Sequence, residues 1–145
     1  MPLHRSIIPI GSGGTGVALG APVMVGRLIG ANMNTTDDQA IPLTLPSGVT
    51  LWMPFQVRVL NASASLTTAA GGVYSTTAKG GFAMVPNTQA YSTLTAAAVN
   101  SAGSGMACTI TATAVLNVTT VYLSLTTPQG AAATADFYVF AYPFA

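Results

Sequence analysis

The chain has 145 residues, of which three are acidic, four are lysine or arginine and one is histidine, and it contains no glutamate. Charged side chains make up 5% of it, against about 25% in an ordinary soluble domain, so the mixed charged surface that keeps a free monomer soluble is nearly missing. The length suits one domain with its own core, and four scattered cations cannot neutralise a run of phosphates, so nucleic acid is not an expected partner.

Residues 1–22 read as an extended arm, because IIPIGSGGTG has no helical period and Gly11, Gly13, Gly14, Gly16 and Gly20 deny the arm regular structure. The first residues have the outline of a secretion signal, with His4 and Arg5 ahead of an apolar stretch. Pro9 and the glycines break the helical segment a signal needs, so the arm is expected in the mature protein. Residues 23–145 are expected to form a single β domain. The period there is two, and strands are expected over Val23–Ala31, Ile41–Leu45, Phe55–Leu66, Gly72–Thr77, Phe82–Val85, Ala107–Val118, Val121–Thr126 and Ala135–Tyr142. In the third, apolar Phe55, Val57 and Val59 alternate with Gln56 and Arg58, which describes a half-buried strand. In the sixth, Cys108, Ile110, Ala112, Ala114 and Leu116 alternate with Thr109, Thr111 and Thr113. The seventh and eighth hold the most apolar runs, Val121–Leu125 and Phe137–Phe140.

Turns are marked by Pro46-Ser47-Gly48, Gly71-Gly72, Lys79-Gly80-Gly81, Pro86-Asn87, Gly103-Ser104-Gly105 and Pro128-Gln129-Gly130. No stretch carries a helical apolar stripe, and Ser92–Val99 offers at most a helical turn. The uncharged interval from Gly80 to Ala135 is interrupted by Thr, Ser, Asn and Gln too often to supply the ~20 apolar residues of a membrane-spanning helix. Short strands with frequent turns predict an all-β fold, an antiparallel β-sandwich or jelly roll, behind the Gly-rich arm.

Little here can do chemistry. Gly11-Ser12-Gly13-Gly14-Thr15-Gly16 has the dinucleotide-binding spacing, with Asp37 and Asp38 following about twenty residues on. That fingerprint works only where a strand feeds a helix, and Val17–Pro22 is too short and broken to be one. No cofactor is expected. His4 is the only histidine, so a Ser–His or Cys–His pair would have to recruit it from the arm. The adjacent Asp37 and Asp38 read as a solvated loop pair without calcium-loop spacing, and the single Cys108 as a buried, inert side chain. No metal, no catalysis and no small-molecule substrate are expected. The sequons at Asn34, Asn61 and Asn117 are what a Thr-rich chain produces by chance.

The apolar clusters say more. Trp52, with Leu51, Met53, Pro54 and Phe55, is either core at the start of a strand or an anchor at an interface. Arg27 and Arg58 interrupt apolar strands and are expected to face solvent, or to pair with Asp136 or with a neighbouring subunit. Tyr138, Phe140, Tyr142 and Phe144 place an aromatic at every second position, a ridge that is either core or subunit contact.

The phrases NASASLTTAAGGVYSTTAKGG (61–81), AYSTLTAAA (90–98) and YLSLTTPQGAAATADFYVF (122–140) resemble the small decoration, or cement, proteins encoded beside the major capsid protein of tailed bacteriophages. The resemblance runs over roughly residues 50–142 and rests on strand-and-turn phrases rather than on a catalytic signature. It implies a β-rich module, commonly a homotrimer, on the outer capsid surface at capsomer junctions. Its partners would be the major capsid protein and other copies of itself, and it would be made in the bacterial cytoplasm. Ordering a Gly-rich arm costs about 1–2 kcal/mol per residue, so Ile7, Ile8 and Ile10 would need apolar pockets on the partner. His4, Arg5, Trp52, Met53, Phe55, Arg58, Tyr142 and Phe144 complete the expected contact set. The competing expectation is a head-fibre, tail-associated or adhesin-like module that binds host carbohydrate or receptor through loops Asn32–Asp38 and Asn100–Gly105.

Overall fold

A computed structural model describes residues 21–95, 105–111 and 114–144. The expected arm, with His4, Arg5, Ile7, Ile8 and Ile10, lies outside the described residues except for Ala21 and Pro22, and so does nearly all of the Asn100–Gly105 loop. The strands are β1 (Val23–Asn32), β2 (Gln39–Pro42), β3 (Leu51–Leu60), β4 (Ala70–Thr76), β5 (Gly80–Val85), β6 (Met106–Ala107), β7 (Thr120–Thr127) and β8 (Thr134–Phe144). No helix occurs among the described residues; Ser92 and Thr93 lie in a turn, and residues 96–99 of the possible helical turn lie outside the described residues.

Period-two alternation is cleanest in β8. Ala135, Phe137, Val139, Ala141 and Pro143 are buried, while Asp136, Tyr138, Phe140 and Tyr142 between them stay partly exposed. β8 lies inside a four-stranded antiparallel sheet of order β1-β8-β3-β6, and a second sheet has the order β2-β7-β4-β5. Val57, Val59, Phe137 and Val139 of the first sheet and Val73, Leu123, Leu125 and Met84 of the second belong to one hydrophobic core. The chain is therefore all-β and sandwich-like, its two sheets sharing their apolar faces.

Three expected strands end up differently placed. The third begins at Leu51 and stops at Leu60, not Leu66, because Asn61 takes φ 56° and turns the chain out. A bulge between Pro54 and Gln56 also changes its phase, so Trp52 and Pro54 face the core before it and Val57 and Val59 after it. Phe55, expected to share a face with Val57, is turned outward instead. The second strand, expected over Ile41–Leu45, runs Gln39–Pro42. Beyond Pro42 the Leu43 N–H donates to the Thr119 carbonyl at 2.9 Å and the Thr44 N–H to that of Val25 at 2.7 Å. The chain thus ties the edge of one sheet to that of the other. Glycine at 26 permits this, since a Cβ there would sit 2.9 Å from the Pro42 carbonyl oxygen.

The expected long strand Ala107–Val118 is the third correction. Only Met106–Ala107 pairs as a strand, with Arg58 and Val59 of β3. The Cys108 N–H then donates to the Val57 carbonyl at 2.8 Å, and the Thr111 hydroxyl to the Ala83 carbonyl at 3.1 Å. Farther along, Leu116 bridges Trp52. The segment crosses between sheets and closes their second edge. Its alternation reflects one-sided burial, with Cys108 in and Thr109 and Thr111 out.

Candidate functional site

The side chains that β8 does not send into the core form the most distinctive surface. Register pairs Tyr138 with Arg27 of β1 and Arg58 of β3, Phe140 with Met24 and Gln56, Tyr142 with Met53, and Phe144 with Leu51. Paired residues in an antiparallel ladder share a face. These residues therefore lie together on the outer side of the first sheet. Met24, Leu51, Phe55 and Phe144 there are 49%, 43%, 42% and 38% exposed, which is unusual for large apolar residues sharing one face of a water-facing sheet. Phe55 meets Tyr142 edge-on, with ring centroids 5.2 Å apart and planes at 75°. The bulge creates this contact by swinging Phe55 out toward the end of β8.

Met53, Phe55, Arg58, Tyr142 and Phe144 from the expected contact set are thus brought together on one face, and Arg27 joins them. Trp52 is not. It is fully buried, and its indole N–H donates to the Val118 carbonyl at 2.9 Å. A side chain with no exposed surface cannot anchor a partner, so the interface reading of Trp52 gives way to the core one. Asp136 shares the outer face but does not pair with the arginines. Its Oδ1 accepts from the Gly30 N–H and its Oδ2 from Asn61 Nδ2, each at 2.8 Å.

The loops are held by amide side chains. Gln129 Oε1 accepts from the Thr68 and Ala69 N–H groups at 3.1 and 3.2 Å, while its Nε2 donates to the Thr67 hydroxyl at 3.1 Å. Gln39 and Asn32 exchange two hydrogen bonds, and Asn34 Oδ1 accepts from the Gly130 N–H at 2.7 Å. Asp38 accepts from the Ala78 N–H at 2.7 Å, and that bond holds its carboxyl below the usual range. The polar groups of Asn32–Asp38, a candidate recognition loop, are largely occupied in shaping the loop. No sequence signal singled out Gln129, which reads there only as part of a turn.

The titratable groups in the core are kept neutral. Burial pushes the Cys108 thiol up to about 12, and burial raises Tyr91, whose hydroxyl donates to the Gly71 carbonyl at 2.9 Å. A thiol held in that state is a poor nucleophile at neutral pH. Among the described residues, no three His, Cys, Asp or Glu side chains gather where they could hold a metal ion, and no helix is long and apolar enough to cross a membrane. No protein-family model, curated protein or solved structure matches the chain.

Proposed function

We propose that the chain is a structural virion protein, a decoration or cement protein that binds the outer surface of a bacteriophage capsid and ties capsomer junctions against the pressure of packaged DNA. The observation that carries this reading is the outer face of the β1-β8-β3-β6 sheet, where exposed aromatic and aliphatic residues lie side by side in a chain with 5% charge. Such a face, rimmed by polar residues, marks a surface built to be covered.

Strand order supports the finer fold reading. With β1-β8-β3-β6 on one side and β2-β7-β4-β5 on the other, consecutive strands alternate between sheets except at the β4–β5 hairpin. We read this as an eight-stranded jelly roll, an architecture recurrent in viral capsid and lectin domains. The resemblance of residues 61–81, 90–98 and 122–140 to phage decoration proteins supplies the capsid partner and the homotrimer. Many modest contacts repeated over a lattice give avidity without a strong single site. The proposal assigns the chain no reaction and no cofactor.

The test is a partition experiment. Purified protein is incubated with intact capsids of the phage that encodes it and, separately, with host cells. The proposal predicts co-sedimentation with capsids in a fixed ratio to the major shell subunit. Binding to cells but not to capsids would instead establish a receptor- or carbohydrate-recognition module.

A further inference from the structure

Arg27, Tyr138 and Arg58 form one transverse row over three neighbouring strands, with the phenol between the two cations. Strands lie about 4.8 Å apart, so the two arginines project from backbone positions about 10 Å apart on the same face. This row holds two of the four lysine and arginine side chains of the chain. Among the described residues, neither guanidinium has a carboxylate within 4.0 Å. The chain has only three acidic side chains to offer, Asp37, Asp38 and Asp136, and none lies in the segments outside the description. Asp136 is held by Gly30 and Asn61, and Asp38 by Ala78 beside Lys79.

Asp136 borders the row on one side, and on the other side, toward the end of β8, the surface is largely apolar. Met24 and Phe140 lie toward one end of β8, followed by Met53, Phe55 and Tyr142. Beside Arg27, where β1 approaches the end of β2, an open recess of about 390 Å³ is lined by Met24, Val25, Gly26, Arg27, Pro42 and Thr44. That is room for one protruding side chain next to a cation.

We propose that this face receives a partner protein surface on which carboxylates stand among apolar side chains, with the carboxylates taken by Arg27 and Arg58 and a neighbouring side chain by the recess. The inference rests on the docking reading above and adds the chemistry of the partner. Arginine's planar fork matches a carboxylate, and aromatic and aliphatic neighbours that exclude water strengthen the pair. Nucleic acid fits poorly, because two cations neutralise too little of a phosphate chain and the apolar surround gives it nothing. A second copy fits poorly too, since two of its three carboxylates are already engaged.

The test uses the full chain, isotope-labelled so that the Arg Nε–H and Tyr138 signals are followed by NMR. The probes are a β-hairpin peptide carrying two aspartates flanked by Leu and Phe, its Asp→Asn counterpart, its Leu/Phe→Ser counterpart, inorganic phosphate and a thymidine oligonucleotide. The acidic, apolar hairpin should shift Arg27, Arg58 and Tyr138 and weaken as salt is raised. Each counterpart peptide should bind at least about tenfold more weakly, and Arg27→Gln with Arg58→Gln should reproduce that loss. The peptide comparison on the unsubstituted chain requires no variant to fold. Equal binding of the Asn peptide, tighter binding of phosphate or oligonucleotide, or shifts driven only by the protein's own concentration would overturn the inference. Capsid binding that survives both substitutions would remove this inference and leave the docking reading standing. Hairpin binding without capsid binding would do the reverse.

Discussion

Phe55 packs edge-on against Tyr142 across the outer face of the first sheet, 5.2 Å between ring centroids, although Phe55 belongs to a strand whose next apolar residues, Val57 and Val59, point the other way. The bulge at Pro54–Gln56 is what makes this possible, and it moves one aromatic from the core to the surface. An exposed aromatic pair contributes about 0.5–1.5 kcal/mol beyond the area it buries. Phe55→Ala and Tyr142→Ala should each lower stability only slightly and couple within that range in a double-mutant cycle of urea unfolding. Coupling near zero would mean that the contact is incidental.

Trp52 should behave in the opposite way. It is buried and hydrogen-bonded to the Val118 carbonyl, so Trp52→Ala leaves both a cavity and an orphaned acceptor and should cost about 3–5 kcal/mol. As the only tryptophan, its fluorescence should be blue-shifted in the native chain and move red in one cooperative urea transition.

Gln129 predicts a local effect. Its side chain holds Thr67, Thr68 and Ala69, so Gln129→Ala should destabilise by about 1–3 kcal/mol. Hydrogen exchange should accelerate at Thr68 and Ala69 while amides in the middle of β8 keep their protection. Uniform acceleration would contradict this division.

Stability should fall at alkaline pH. The Cys108 thiol is raised by burial from 9.0 to about 12, so the unfolded chain releases that proton about three pH units before the folded one. The stabilisation is therefore complete below about pH 9 and is lost as pH rises from there toward 12. Burial of Tyr91, and to a lesser extent of Tyr74, adds to the decline above pH 10, their ordinary value. Urea midpoints should be flat from neutral pH to about 9 and then drop, and Cys108→Ala should flatten the first part of the drop. The native thiol should resist disulfide reagents at pH 8 and react on unfolding.

How far the sequence reveals this fold depends on how local each signal is. β7 and β8 are legible because each holds a continuous apolar run, with the Pro128-Gln129-Gly130 turn between them. The phase of β3 is not, since a bulge is one extra residue and the pattern Phe55-Gln56-Val57-Arg58-Val59 reads the same with or without it. Residues 108–116 alternate like a strand, yet alternation reports which side is buried and not which strand lies alongside. The aromatic ridge was ambiguous because β8 is apolar on both faces, with Phe137 and Val139 inside and Tyr138 and Phe140 outside. Only the strands packed on either side decide which face is core. Gln129 carries no sequence signature because an amide that braces a loop looks like any other turn residue.

Capsid occupancy tests the central claim most directly. Unsubstituted chain and a Leu51→Ser, Phe144→Ser variant of the outer face are titrated onto intact capsids, and the pelleted protein is quantified against the major shell subunit. Saturation at a fixed ratio is expected for the unsubstituted chain and little or no pelleting for the variant, with both proteins melting alike. Saturation by the variant at the same ratio, or no pelleting of the unsubstituted chain at any concentration, would contradict the claim.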